Sequence, residues 1–222
     1  MTLARRMVAE GLGTALLLAV VVGSGIMAER LAGGNTAIAL LANALATGAG
    51  LVALILMFGP VSGAHFNPVV TLSAAWQGLH PPRDVLPYLA VQTAGAVAGV
   101  AAAHAMFGLE AFTASVHVRS GAGQWWSECV ATFGLLGVII GCTRSRPGVT
   151  PFAVAAYITA AYWFTASTSF ANPAVTLARS VTDTFAGIRP VDAPGFIAAQ
   201  LLGAAAATVL FRWLYAEKKE QP

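Results

Sequence analysis

Asn67-Pro68-Val69-Val70-Thr71-Leu72 returns as Asn172-Pro173-Ala174-Val175-Thr176-Leu177, 172 − 67 = 105 residues further along a chain of 222. Each copy follows a small, polar stretch: Ser62-Gly63-Ala64-His65-Phe66 in one case, Ser167-Thr168-Ser169-Phe170-Ala171 in the other. Both lie between long apolar runs. Irregular polar backbone at membrane depth is tolerated only where it is buried in protein or lines a wet cavity. The repeated stretch therefore reads as part of a pore.

Composition agrees: 57% of residues are hydrophobic, 9% are charged, and glycine is spread through the apolar sequence. A soluble chain of this length needs more charge to stay dispersed. The formal charge of +3 is small and its basic residues stand singly or in pairs, which argues against a nucleic-acid partner. Six spans are expected, over residues 7–27, 36–58, 85–109, 125–142, 149–170 and 193–215, most near the ~20 residues that cross a bilayer. Two pieces, 67–77 and 172–181, are about half as long and can enter the membrane without crossing it. The first span is too long to be a removed signal peptide and is followed by too many others. Cys129 and Cys142 lie about 20 Å apart on one helix and cannot bridge.

With the N-terminus cytoplasmic, Arg5, Arg6, Arg83, Arg144, Arg146, Arg212, Lys218 and Lys219 fall inside, against Arg30, Arg119, Arg179 and Arg189 outside. Both termini are thus expected in the cytoplasm, in a multi-pass plasma-membrane protein. The repeat also extends beyond the hexapeptide. Asp84, Gln92 and Gly95 recur as Asp192, Gln200 and Gly203, each 192 − 84 = 108 residues on, and Glu10 in the first span matches Glu128 in the fourth. Three spans per unit, an odd number, force the second unit (about 120–222) to enter from the face opposite the first (about 1–110).

Asn is a strong helix N-cap, and Pro suits the first helical position because its missing N–H would be unpaired there anyway. Each Asn-Pro should start a half-helix at the bilayer midplane. Two positive helix ends then meet beside two carboxamides able to donate. Such a point repels protons and cations, and it turns the oxygen of a passing water or hydroxylated solute toward the donors.

At these residues the chain resembles the aquaporin, or major intrinsic protein, family. The likeness rests on the paired Asn-Pro-Ala-type motifs, the Ser-Gly-Ala-His-x-Asn-Pro context of the first and a Glu in spans one and four, and it covers essentially the whole chain. It implies an all-α membrane protein with six transmembrane helices, two re-entrant half-helices and an inverted repeat. The implied role is a homotetrameric channel in a lipid bilayer for water and small neutral solutes, with no cofactor. Asn67 and Asn172 would be the central donors, and the carbonyls of Gly63, Ala64, His65, Ser167, Thr168 and Ser169 the acceptor ladder. Glu10 and Glu128 would hold the re-entrant loops. As intramembrane carboxylates they could also form a proton relay, but their repeat relationship and apolar helices favour the scaffold.

The chain departs from the family where an Arg usually follows the second Asn by three residues, since Val175 stands there. Spacing carries the other constriction positions to Thr47, Ala160 and Ser169, all small. A wide, uncharged ring is expected, open to glycerol, urea or arsenous acid. Arg179, one turn beyond Val175, either stands in for the missing Arg or pairs with Asp183 at i,i+4. Such a pair would remove much of the field at the pore, which favours the tether. In that substitute role Arg179 would make the channel water-selective; without a fixed Arg in the ring, small oxyanions could also leak.

The four histidines are too scattered for a metal cluster. His65 is expected to face the pore, and His104 to pack. Gly95 and Gly99 form a small face on span three and Gly203 repeats it on span six, for packing within or between subunits. A secondary transporter would need a coupling carboxylate at the midplane, and an intramembrane enzyme would need a nucleophile beside a base. The sequence places neither.

Overall fold

A computed structural model describes residues 1–216. The chain forms eight α-helices, α1 (Leu3–Leu31), α2 (Thr36–Ser62), α3 (Pro68–Trp76), α4 (Pro82–Phe107), α5 (Ala122–Ser145), α6 (Thr150–Phe164), α7 (Pro173–Arg179) and α8 (Ala193–Leu214), with no strand among the described residues. Five of them, α1, α2, α4, α5 and α8, are long and apolar enough to cross a membrane. The sixth, α6, has 15 residues, preceded by the 3-10 turn Pro147–Val149. Together they rise about 28 Å, enough for the hydrocarbon core.

The fifth span was expected to continue to Phe170, but the helix stops at Phe164. The seven residues from 165 to 171 are spent on an irregular segment in which Thr168, Ser169 and Ala171 have left-handed backbones. Hydropathy alone does not distinguish these residues from helix. Lys218 and Lys219, counted above for orientation, lie outside the described residues.

Helix α1 packs on α4 and α2, and α5 packs on α8 and α6. The halves meet where α2 contacts α6, and where each half-helix lies against the last helix of the other half, α7 on α4 and α3 on α8. The small faces read from the sequence are used within the chain. A Cβ at Gly95 would collide with the Gly11 carbonyl, and one at Gly203 with the Cys129 carbonyl. Gly11 and Cys129 follow Glu10 and Glu128, so both close helix crossings obey the repeat. They bring Gln92 and Gln200 to the buried carboxylates.

Candidate functional site

Asn67 and Asn172 cap the half-helices as their chemistry requires. The Asn67 Oδ1 accepts from the Val69 N–H, and that of Asn172 from the N–H groups of Ala174 and Val175; Pro68 and Pro173 occupy the first helical positions. The segments leading in are unusual. Ala64, Phe66, Thr168, Ser169 and Ala171 are the non-glycine residues with positive φ among the described residues, and Gly63 joins them at 92°. Left-handed backbone costs roughly 1–3 kcal/mol at each non-glycine position and persists only where the surroundings enforce it. The pattern falls at the third and first residues before each Asn, with Gly63 and Thr168 as the fourth.

Two buried carboxylates enforce it. Glu10 accepts from Ser62 Oγ at 2.7 Å, from the N–H groups of His65 and Phe66 at 2.9 and 2.7 Å, and from Gln92 Nε2 at 2.8 Å. Glu128 accepts from Ser167 Oγ at 2.5 Å, from the N–H groups of Phe170 and Ala171 at 2.8 Å each, and from Gln200 Nε2 at 2.6 Å. Both are 0% exposed, and four donors replace water around each. Each glutamine gives its second N–H to the threonine of its half-helix, Thr71 or Thr176, whose hydroxyl donates to the Asn carbonyl behind it. The two braces correspond bond for bond.

Each Asn reaches across the repeat. Asn67 Nδ2 donates to the Ala171 carbonyl and Asn172 Nδ2 to that of Phe66, both at 2.8 Å. One N–H of each carboxamide is therefore committed, leaving one rather than two for a solute. A cavity of about 260 Å³ runs past both asparagines, lined from both halves by Gly63, Ala64 and His65 and by Ser169, Phe170 and Val175.

Ser167 and Thr168, expected on the acceptor ladder, do not line this cavity. The Ser167 carbonyl accepts from Arg119 Nη1 at 3.2 Å and its hydroxyl is held by Glu128. Under the spacing of 105, the residues matching Gly63, Ala64 and His65 are Thr168, Ser169 and Phe170, so Phe170 takes the place given to Ser167.

The constriction also differs from the expected ring. Thr47, Ser169 and Val175 line the cavity, whereas Ala160 is exposed on the outside of the bundle. On α6 the buried residues are Pro151, Val154, Ala155, Ile158, Ala161 and Tyr162, and Ala160 lies about 200° around the helix from Ile158. Tyr162 takes its place, lining the cavity with its hydroxyl 3.2 Å from that of Thr47. The α6 helix ends eight residues before Asn172 whereas α2 ends five before Asn67, so a position carried over by spacing lands on the wrong face. The ring is neither wholly small nor aliphatic. Ser169 Oγ, buried in this ring, has no partner among the described residues.

Arg179 does not pair with Asp183. Its Nε donates to the Ala186 carbonyl, its guanidinium lies 3.4 Å from the Phe170 ring centre, and it lines the cavity. Asp183 instead accepts from the Val116 N–H, with His117 at 3.9 Å. The ring of Phe170, rather than a carboxylate, drew the guanidinium inward, a contact that spacing along α7 could not reveal. His65 lines the other half of the cavity. Its Nδ1 lies 3.0 Å from Thr71 Oγ1, whose proton goes to the Asn67 carbonyl. In the neutral ring Nδ1 therefore carries the hydrogen and Nε2 is left as an acceptor. His104 packs, its ring nitrogens meeting the Glu110 carbonyl and the Thr182 hydroxyl.

The model of the family "Major intrinsic protein" matches residues 1–167 and 149–222. Aquaglyceroporin AqpS of Rhizobium meliloti (strain 1021) is 58% identical over 212 residues, 96% of this chain and 91% of that protein. Probable aquaporin AqpM of Archaeoglobus fulgidus is 31% identical, covering 98% of this chain and 99% of that one. Among solved structures, the aquaglyceroporin from Plasmodium falciparum superposes with a TM-score of 0.68 at 21% identity, covering 96% of each chain, which establishes a shared fold.

Proposed function

The chain belongs to the major intrinsic protein family, and from that premise we propose a passive channel for water and small neutral solutes, including glycerol, urea and metalloid hydroxides such as arsenous acid. The observation that carries this reading is the pair of unspent Asn67 and Asn172 N–H groups facing one cavity lined by both halves. A polyol or metalloid hydroxide offers an oxygen to these donors while its other hydroxyls meet the carbonyls of the loops. Two positive helix ends at the same point oppose cations. Thr47, Tyr162, Ser169 and Val175 form the selectivity ring, and hydroxyls on three of the four suit it to hydroxylated solutes. The excess of Lys and Arg on the side of the termini supports a cytoplasmic location for both. We assign the channel to the plasma membrane as a homotetramer, by likeness to the family.

A second reading is water selectivity with Arg179 as the filter residue, favoured by its place in the cavity wall. Paired flux of water and glycerol in proteoliposomes, through wild type, Val175→Arg and Arg179→Ala, separates the two. The solute-channel reading expects glycerol to pass in wild type and Val175→Arg to cut glycerol well before water. Water flux without glycerol or urea flux in wild type, restored by Arg179→Ala, would overturn it.

A further inference from the structure

Around the Phe170 ring stand two guanidinium groups, neither of them hydrogen-bonded to a carboxylate. Arg179 lies 3.4 Å and Arg119 5.1 Å from the ring centre. Arg119 gives its Nε to the Gly187 carbonyl and its Nη1 to that of Ser167, while Arg179 gives its Nε to that of Ala186. All three acceptors are neutral. The nearby acids are already engaged: Glu128 by its four donors, Asp192 by the Arg189 guanidinium and the Arg119 N–H, Asp183 by the Val116 N–H. Both Nη groups of Arg179 are without a hydrogen bond among the described residues, in the wall of a cavity that the unpartnered Ser169 hydroxyl also lines.

A buried guanidinium with two free donors and no carboxylate bonded to it is a fork matched to two oxygens of one planar anion. We propose that this mouth of the pore, outward in the orientation given above, binds a small monovalent oxyanion, with the Arg179 Nη groups and the Ser169 hydroxyl as donors. Arg119 adds positive potential without touching the ligand. A carboxylate or nitrate fits the fork. The inference rests on the orientation proposed above for its sidedness, but not on any solute being conducted.

Titration calorimetry of the purified full chain with sodium formate, in chloride-free buffer, reads binding directly. Saturable binding is expected in wild type, at least tenfold weaker in Arg179→Gln, several-fold weaker in Arg119→Gln and weakened by salt. Arg179→Lys keeps the charge but not the fork, and should bind several-fold more weakly than wild type while melting at a similar temperature. Absence of saturable formate binding to folded wild type would overturn the site, as would equal affinity in wild type and Arg179→Lys. Water flux then locates it: formate outside should slow water entry into right-side-out vesicles, and formate inside should not. Inhibition only from inside would place the site elsewhere. Because calorimetry needs no flux, failure of the solute-channel reading leaves this test standing.

Discussion

The loop before α3 and the loop before α7 share a skeleton and differ in what they show the pore. In both, a buried glutamate takes two loop N–H groups, a serine hydroxyl and a glutamine amide, and in both the left-handed residues fall at the same distances from the Asn. The cavity-lining positions diverge. Phe170 stands at the repeat position of His65 and Arg179 at that of Ala74, and the first loop carbonyl is held by the Tyr88 hydroxyl in one half and by Arg119 in the other. An internal repeat can thus fix the backbone twice and leave each mouth its own chemistry: an acceptor at His65 on the side of the termini, guanidinium donors on the far side.

The strongest challenge to the shared skeleton is loss of either carboxylate. Glu10→Gln and Glu128→Gln each set an amide NH₂ against a donor that loses its acceptor, in a loop already holding strained backbone. About 3–5 kcal/mol of destabilisation is expected from each, by analogy with breaking one side of a buried charged pair. Thermal melting in detergent should show both variants unfolding far below wild type. A marked difference between them would mean the braces are not equivalent.

Next in size is a charge at the meeting point. Asn67→Asp and Asn172→Asp keep the cap but turn a carboxylate toward the Ala171 or Phe66 carbonyl, at about 1–3 kcal/mol for the acceptor left unpaired. Because both helix ends face the same point, the two changes should admit cations to a similar degree. Potassium flux into liposomes measures it, and a leak in only one variant would break the symmetry assigned to the asparagines.

The smallest expected effect sharpens the difference between the loops. Phe170→Leu removes the ring under Arg179 and frees the guanidinium to enter the cavity. Glycerol flux should fall relative to water. His65→Leu, its counterpart, removes an acceptor and the bond to Thr71, and should lower both fluxes without changing their ratio. A ratio that moves equally in both variants would show that the mouths do not divide the work.

Much of the molecule was written in the sequence. The repeated Asn-Pro, the paired glutamates and the glycines at matching offsets determine six spans, two half-helices and an inverted repeat, because capping chemistry, hydropathy and close helix approach are local properties. The chain's own fold decided the rest. Ala160 and Tyr162 differ by 200° around α6, and only the length of the connection after Phe164 settles which one meets Thr47. Arg179 and Asp183 have the spacing of an ion pair, yet the loop before α7 brings Phe170, and the segment after it the Ala186 carbonyl, to the guanidinium instead. One N–H of each central Asn is spent on a carbonyl more than 100 residues away. Residue spacing encodes which groups share an element, whereas the partner each polar atom finds across the bundle is set by how the elements pack.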